Sequence, residues 1–267
     1  MAVDAIAGSR ECYSPRSGGV AVASGGEMGA AVLACLLGAA FSVVVWRRWW
    51  RSRRPAFAAW GAGLAIFAAA ALTQAWGEAF GFSVPLFRAF YLLGGVLGVI
   101  YLALGTTFLM APARVARAAA AVLIALTLVL AVDAALVPVN ASKLSTSKGV
   151  LGGALIGHGT PLFVAAVLFN ILGTLVLAGG SAFSAYRFIR SSAGIDRVIC
   201  NVLLTVGALV VALGFSLAKT VGGSLSELGV FESVGSAIMF AGFLSLGRFG
   251  AVAPAASRSA ASAAIED

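Results

Sequence analysis

Charged residues are scarce in this sequence. Only 10% of its 267 residues are Asp, Glu, Lys or Arg, whereas 61% are hydrophobic and the mean hydropathy is +1.02. A soluble domain carries about 25% charged residues, so the composition excludes a soluble protein. Apolar runs recur along the chain, and each is long enough to cross a bilayer core of about 30 Å. Because helices satisfy their own backbone hydrogen bonds in lipid, we predict an all-α integral membrane protein.

Side chains that bind metals or form disulfides are also few. The chain has three cysteines, Cys12, Cys35 and Cys200, and one histidine, His158. Their scattered positions fit neither a disulfide framework nor the ligand spacing of a metal site. We therefore predict no metal site, and the sequence indicates no particular cofactor.

A nucleophile and base arranged for catalysis are missing as well. A Ser-His-Asp assembly would have to use His158, which lies in a polar connection with no nucleophile elbow near it. We predict no catalytic residue on this ground, and an intramembrane enzyme is the least favoured functional class.

Seven apolar runs stand out from the short polar connections between them. We expect a seven-helix bundle with spans at about 29–46, 56–76, 85–109, 118–137, 161–183, 198–218 and 230–246. Residues 1–27 have no apolar signal-peptide core and are predicted to be a disordered extracytoplasmic tail. Residues 247–267 are predicted to be a disordered cytoplasmic tail, and Met28 is an alternative start to Met1.

Basic residues concentrate in alternate connections. Twelve arginines fall on one side of the predicted spans: Arg47, Arg48, Arg51, Arg53, Arg54, Arg114, Arg117, Arg187, Arg190, Arg197, Arg248 and Arg258. The other side has Lys143 and Lys148, with Arg88 and Lys219 at span edges. The positive-inside rule then predicts an N-terminus outside and a C-terminus in the cytoplasm. This clustering favours a lipid bilayer over nucleic acid as the partner.

The choice of basic residue bears on the source. The chain uses 15 arginines against 3 lysines and is rich in alanine and glycine. Such usage is typical of a GC-rich bacterial genome. We therefore expect a multi-pass protein of the bacterial cytoplasmic membrane.

Two halves of the chain share weak local features. Spans 1–3 and 5–7 have the same predicted orientation, and the triplet Ala-Phe-Ser occurs at 40–42 and again at 182–184. A 3+1+3 parallel repeat of the kind found in transporters would explain both facts. The alternative is that low-complexity Ala/Gly/Leu sequence aligns easily with itself.

Polar residues inside or beside the spans are the candidate site. Five ionisable residues fall near the outer ends of spans 2, 3, 4, 6 and 7, and one amide lies mid-span: Glu78, Arg88, Asp133, Lys219, Glu232 and Asn170. Ionisable groups in a membrane are costly and often functional. We predict a charge network lining an outward cavity, with Asp133 responding to a proton or cation. The alternatives are that these charges face water, that Asp133 joins helices, and that Asn170 bonds helix to helix.

Glycine pairs recur at Gly94–Gly95, Gly179–Gly180 and Gly222–Gly223. Small residues allow helices to approach closely, whereas transporters also break helices at such positions. The sequence leaves both interpretations open.

The functional prediction is a membrane protein that binds and transports a small solute or ion through an outward-facing polar cavity. Glu78, Arg88, Asp133, Asn170, Lys219 and Glu232 would form its ligand-binding or ion-coupling site. The competing prediction is a non-transporting sensor or an accessory subunit of a membrane complex. A homo-oligomer or a partner membrane protein is compatible with either class.

Overall fold

A computed structural model of the protein describes residues 25–146, 153–191, 194–220 and 225–248. Every regular element within these ranges is helical, and seven helices are long and apolar enough to cross a membrane. The prediction of an all-helical, multi-pass membrane protein is thus confirmed. The orientation of the bundle and the internal repeat stay predictions.

The seven long helices follow the order of the predicted spans. They are α1 (Gly25–Ser52), α2 (Pro55–Phe80), α3 (Val84–Met110), α4 (Ala113–Leu136), α5 (Pro161–Arg190), α6 (Ile195–Thr220) and α7 (Leu225–Arg248). Each contains its predicted span, except that Val137 follows the end of α4. Helix α1 begins within the predicted N-terminal tail, and α7 ends within the predicted C-terminal tail. Residues 1–24 and 249–267 of those tails lie outside the described residues.

Helix starts are set by local sequence. Pro55, Pro85 and Pro161 occupy first-turn positions, where a missing N–H removes no helical hydrogen bond. The side chains of Ser83 and Thr160 cap α3 and α5 by accepting hydrogen bonds from backbone N–H groups three residues later. These caps satisfy donors that a helix leaves unpaired at its start.

Six of the helices form a closed ring. Going round it, the neighbours are α1, α2, α3, α5, α6, α7 and then α1 again. Helix α4 lies outside the ring against α3 and α5. We call the end where α1 meets α2 the arginine-rich end, because Arg47, Arg48, Arg51, Arg53 and Arg54 are exposed there. Because the ring follows the order of the helices in the chain, the same neighbours are expected whether or not the chain contains an internal repeat.

Helices α6 and α7 approach each other through glycines. A Cβ atom added at Gly207 would stand 2.5 Å from the carbonyl oxygen of Gly235 and 3.1 Å from the backbone nitrogen of Met239. One added at Gly235 would stand 2.7 Å from the carbonyl oxygen of Gly207. Backbone therefore lies on backbone at this crossing, as the small-residue interpretation predicts for glycine-rich membrane helices.

The connection between α4 and α5 packs onto the bundle. It contains two short helices, Ala141–Thr146 and Gly153–Ile156, and residues 147–152 between them lie outside the described part. Leu155 and Ile156 are buried in a cluster with residues of α3, α4 and α5. This connection covers one end of the bundle on the side of α4.

Helix α3 departs from α-helical geometry in its middle. Residues Tyr91–Leu97, which include the first glycine pair, form a π-helical segment between two α-helical parts. The alternative of a broken helix there is met only in part, because the chain stays helical. Helix α5 is continuous through its own pair: Gly180 packs close to α3, whereas Gly179 faces open space. The third pair, 222–223, lies outside the described residues.

Candidate functional site

A cavity lies inside the ring of six helices. Its empty space, counting the open mouth, is about 700 Å³. About 40 Å³ of this space can be reached by the centre of a water molecule. By the same measure a cavity needs about 10–15 Å³ to hold one water. The wall is mainly apolar, with residues of α2, α3, α5, α6 and α7, and its polar side chains are Asn170, Thr174, Glu232 and Ser236. There is room for a few waters or a small solute.

Glu232 is the ionisable side chain on this wall. It is 4% exposed, and its Oε2 atom has no hydrogen-bond partner among the residues that the structure describes. Burying an acid in a membrane costs about 2.5–3.5 kcal/mol on insertion scales unless it finds a partner. The Oε2 atom therefore offers a place for a proton, a cation or a water molecule.

A second acid is within electrostatic range of Glu232. Glu78 of α2 is close enough to Glu232 of α7 to interact with it electrostatically. Its Oε1 atom accepts a hydrogen bond of 2.9 Å from Nε2 of the fully buried Gln74. Two neighbouring carboxylates repel each other when both are ionised.

Ser233 and Ser236 follow Glu232 on α7, and of these Ser236 lines the cavity. The Ser233 hydroxyl donates to the carbonyl oxygens of Ala30, at 2.7 Å, and Gly229, at 2.8 Å, so it ties α7 to α1. The Ser236 hydroxyl donates to the carbonyl oxygen of Ser233 at 3.1 Å. Because this bond uses the hydroxyl proton, the Ser236 oxygen is left to accept a hydrogen bond from a ligand.

Asn170 occupies the opposite wall. Its Nδ2 atom donates to the carbonyl oxygen of Gly95 in the π segment, at 2.6 Å, and to that of Ala166, at 2.7 Å. The helix-bonding interpretation of Asn170 is therefore observed, and the residue lines the cavity as well. Because the amide nitrogen is engaged, Oδ1 is the group left for a ligand. The polar groups of Asn170, Glu232 and Ser236 thus present acceptors.

Arg88 and Asp133 have other surroundings. Arg88 donates from Nη2 to the carbonyl oxygen of Val137 at the end of α4, over 2.6 Å. Asp133 accepts at Oδ2 from the backbone N–H of Leu162 at the start of α5, over 3.0 Å. These bonds to backbone groups attach α4 to the ring. The helix-joining alternative for Asp133 is thus observed, with a backbone N–H in place of the expected basic side chain.

The structure brings together only part of the predicted site. Glu232 and Asn170 line the cavity and Glu78 interacts electrostatically with Glu232, whereas the Lys219 side chain is outside the described residues. Among the described residues, Arg88 and Asp133 do not line this cavity, and a site that joins all six predicted residues stays a prediction. Gln74 and Ser236 were missed, although each lies four residues from an acid and hence on the same helix face.

Replacing Asp133 tests its role at the start of α5. We expect Asp133→Leu to lower the free energy of unfolding by about 1 kcal/mol, because the N–H of Leu162 loses an acceptor of the kind that caps a helix. Asp133→Asn keeps an acceptor oxygen and should cost less. Thermal unfolding in lipid nanodiscs measures both variants. Equal loss in the two would show that the hydrogen bond at Leu162 contributes nothing.

Comparisons of the chain with protein families, with curated proteins and with solved structures find no match. Function is therefore argued from the geometry of the cavity. The cavity is lined by an acid, by neutral hydrogen-bond acceptors and by apolar side chains, and it lies inside a membrane-spanning bundle.

Proposed function

We propose that the protein binds a small monovalent cation or cationic solute in this cavity and carries it across the membrane. The observation that supports this most is the buried Glu232 carboxylate, whose Oε2 atom has no hydrogen-bond partner within the described residues and which lines the cavity. Glu232 supplies the counter-charge. Asn170 and Ser236 supply neutral oxygens.

The sign of the ligand charge follows from the groups on the wall. Glu232 and the nearby Glu78 repel an anion. An ammonium group has hydrogen atoms to donate and no acceptor, so it complements a carboxylate together with amide and hydroxyl oxygens. Around an apolar wall the attraction between opposite charges is stronger than in water.

The depth of the cavity supports transport. Glu232 lies seven residues after Leu225, where α7 begins, which corresponds to about 10 Å along a helix. Asn170 lies nine residues after Pro161, where α5 begins, or about 14 Å. A ligand held at these positions is within the membrane-spanning part of the bundle, where transporters bind their substrates.

A panel of small ligands tests the proposal. We expect ammonium, methylammonium or an alkali cation to raise the unfolding temperature of the protein in nanodiscs. A ligand at a hundredfold excess over its Kd stabilises the native state by about 2.7 kcal/mol. Methanol, which matches methylammonium in size but has no charge, and acetate, a small anion, should have no effect.

Uptake into vesicles then separates transport from sensing. Protein reconstituted in liposomes should take up the stabilising cation down its gradient faster than protein-free liposomes do, since ammonium ions also cross lipid slowly as neutral amines. A panel without any stabilising cation, or stabilisation by acetate, would overturn the cation site. Binding without uptake would overturn the transport step and favour the sensor alternative.

A further inference from the structure

A second cavity adjoins the first on the side of the arginine-rich end. Its empty space, counting the part open to the outside, is about 400 Å³, and its wall is apolar and aromatic. Four residues line both cavities and so form a layer between them: Leu64, Leu102, Leu177 and Met239. The wall beyond that layer includes Phe41, Trp60, Leu204 and Phe243. We call this second space the aromatic chamber.

The dividing layer is made of side chains that can move aside. Leucine and methionine have several rotatable bonds, and methionine in particular adapts to irregular spaces. Met239 lies seven residues after Glu232 on α7 and Phe243 eleven after it, or about 10 and 16 Å along the helix. An apolar chain that starts at the Glu232 carboxylate and follows α7 would cross the layer and enter the chamber.

The far end of the chamber excludes a second positive charge. The guanidinium carbon of Arg48 lies 5.6 Å from the ring centroid of Phe243, and Phe243 lines the chamber. A cation there would meet the positive charge of Arg48, and the described residues of the chamber wall include no carboxylate to offset it. The chamber thus suits an uncharged, apolar group.

We propose that the two cavities form one binding site for a monocation with an apolar tail, such as a lipophilic ammonium. The ammonium lies against Glu232, and the tail passes the Met239 layer into the aromatic chamber. This inference rests on the proposed function, because it takes Glu232 as the counter-charge. It adds the chemical class of the ligand.

A series of primary ammonium ions of increasing length tests the proposal. Methyl-, butyl-, hexyl- and octylammonium are titrated into the protein in nanodiscs, with empty nanodiscs as the reference for partition into lipid. Each methylene buried in an apolar site is expected to tighten binding about threefold to fourfold. Octane-1,8-diammonium, which has a charge at each end of the same chain, should bind more weakly than octylammonium, because its second charge would lie in the chamber.

A matched pair of variants locates the tail. Leu204→Phe enlarges a side chain on the chamber wall, and it should abolish the gain from butyl to octyl while leaving the affinity for methylammonium within about twofold. Leu209→Phe makes the same change at an exposed leucine of α6, and this variant should keep the full gain in affinity with chain length. Binding of methylammonium also reports that each variant is folded. If Leu204→Phe fails that check, Val45→Leu takes its place, because Val45 also lines the chamber and the change adds less volume. The loss of the gain from butyl to octyl should then be smaller.

The outcomes distinguish the two proposals. If methylammonium binds but affinity does not rise with length, or if the rise survives in the chamber variant, the lipophilic ligand is wrong and the cation site stands. If no ammonium ion of any length binds, the proposed function fails and this inference fails with it.

Discussion

Replacing Gly207 with alanine is expected to lower the free energy of unfolding by about 3 kcal/mol. The added methyl carbon would stand 2.5 Å from both the Gly235 carbonyl oxygen and Cγ of Met239. Overfilling a packed interior costs about 1–3 kcal/mol, and this site lies at the upper end because backbone on α7 cannot turn away as a side chain can. Helices α6 and α7 would have to separate along their crossing.

The matched control is alanine at Gly179. Gly179 is exposed in the middle of α5, and nothing lies within 4 Å of the position of an added Cβ atom. Since alanine favours a helix over glycine by about 1 kcal/mol, Gly179→Ala should keep or slightly raise stability. Thermal unfolding of both variants in nanodiscs, followed by circular dichroism, makes the comparison. Similar stabilities for the two would show that α6 and α7 do not cross at Gly207.

The long helices could be predicted from sequence because their cause is local. Each apolar run is long enough to span a bilayer, and in lipid a helix is the way for a single segment to satisfy its backbone. Proline in the first turn marks starts such as those of α3 and α5, at Pro85 and Pro161. None of this requires knowledge of which helices are neighbours.

The site could be predicted only in part because it depends on helix neighbours. Asp133 looked like the best candidate as a lone acid in an apolar run, yet its partner is a backbone N–H 29 residues later. Glu232 looked like one of several charges at a span end. Its position against the cavity follows from the rotation of α7, whose Ser233 bonds α1 while Ser236 lines the cavity. Hydropathy carries no information on that rotation.

The π segment likewise combines a feature of the local sequence with a contact that depends on a neighbouring helix. The pair Gly94–Gly95 was compatible with close packing or with a broken helix, and α3 is π-helical there. The carbonyl oxygen of Gly95 is engaged by Asn170, which is 75 residues away in the chain. The glycine pair could therefore be recognised in the sequence, whereas the contact that links this segment to α5 could not be predicted from it.

Replacing Glu232 with glutamine is expected to remove nearly all cation binding. The amide has almost the same shape and keeps an acceptor oxygen, but it has no charge. Losing one member of a buried, oppositely charged pair costs about 2–5 kcal/mol, which corresponds to a hundredfold or greater rise in Kd near the middle of that range. The variant should unfold at the wild-type temperature or above it without ligand, because a buried acid with an unpartnered oxygen is itself unfavourable.

The matched control is Glu227→Gln on the same helix. Glu227 is exposed, lies five residues before Glu232, and does not line the cavity. Its replacement changes the net charge of the protein by the same amount. We expect the affinity for methylammonium to stay within about twofold of the wild-type value, because charges exposed to water are screened.

The most direct measurement is calorimetric titration of methylammonium into nanodiscs that contain the wild-type protein, Glu232→Gln or Glu227→Gln. With Glu232 as the counter-charge of the cavity, wild type and Glu227→Gln bind alike, and Glu232→Gln binds about a hundredfold more weakly or not measurably. The same affinity in wild type and in a well-folded Glu232→Gln variant would contradict a cation site at Glu232.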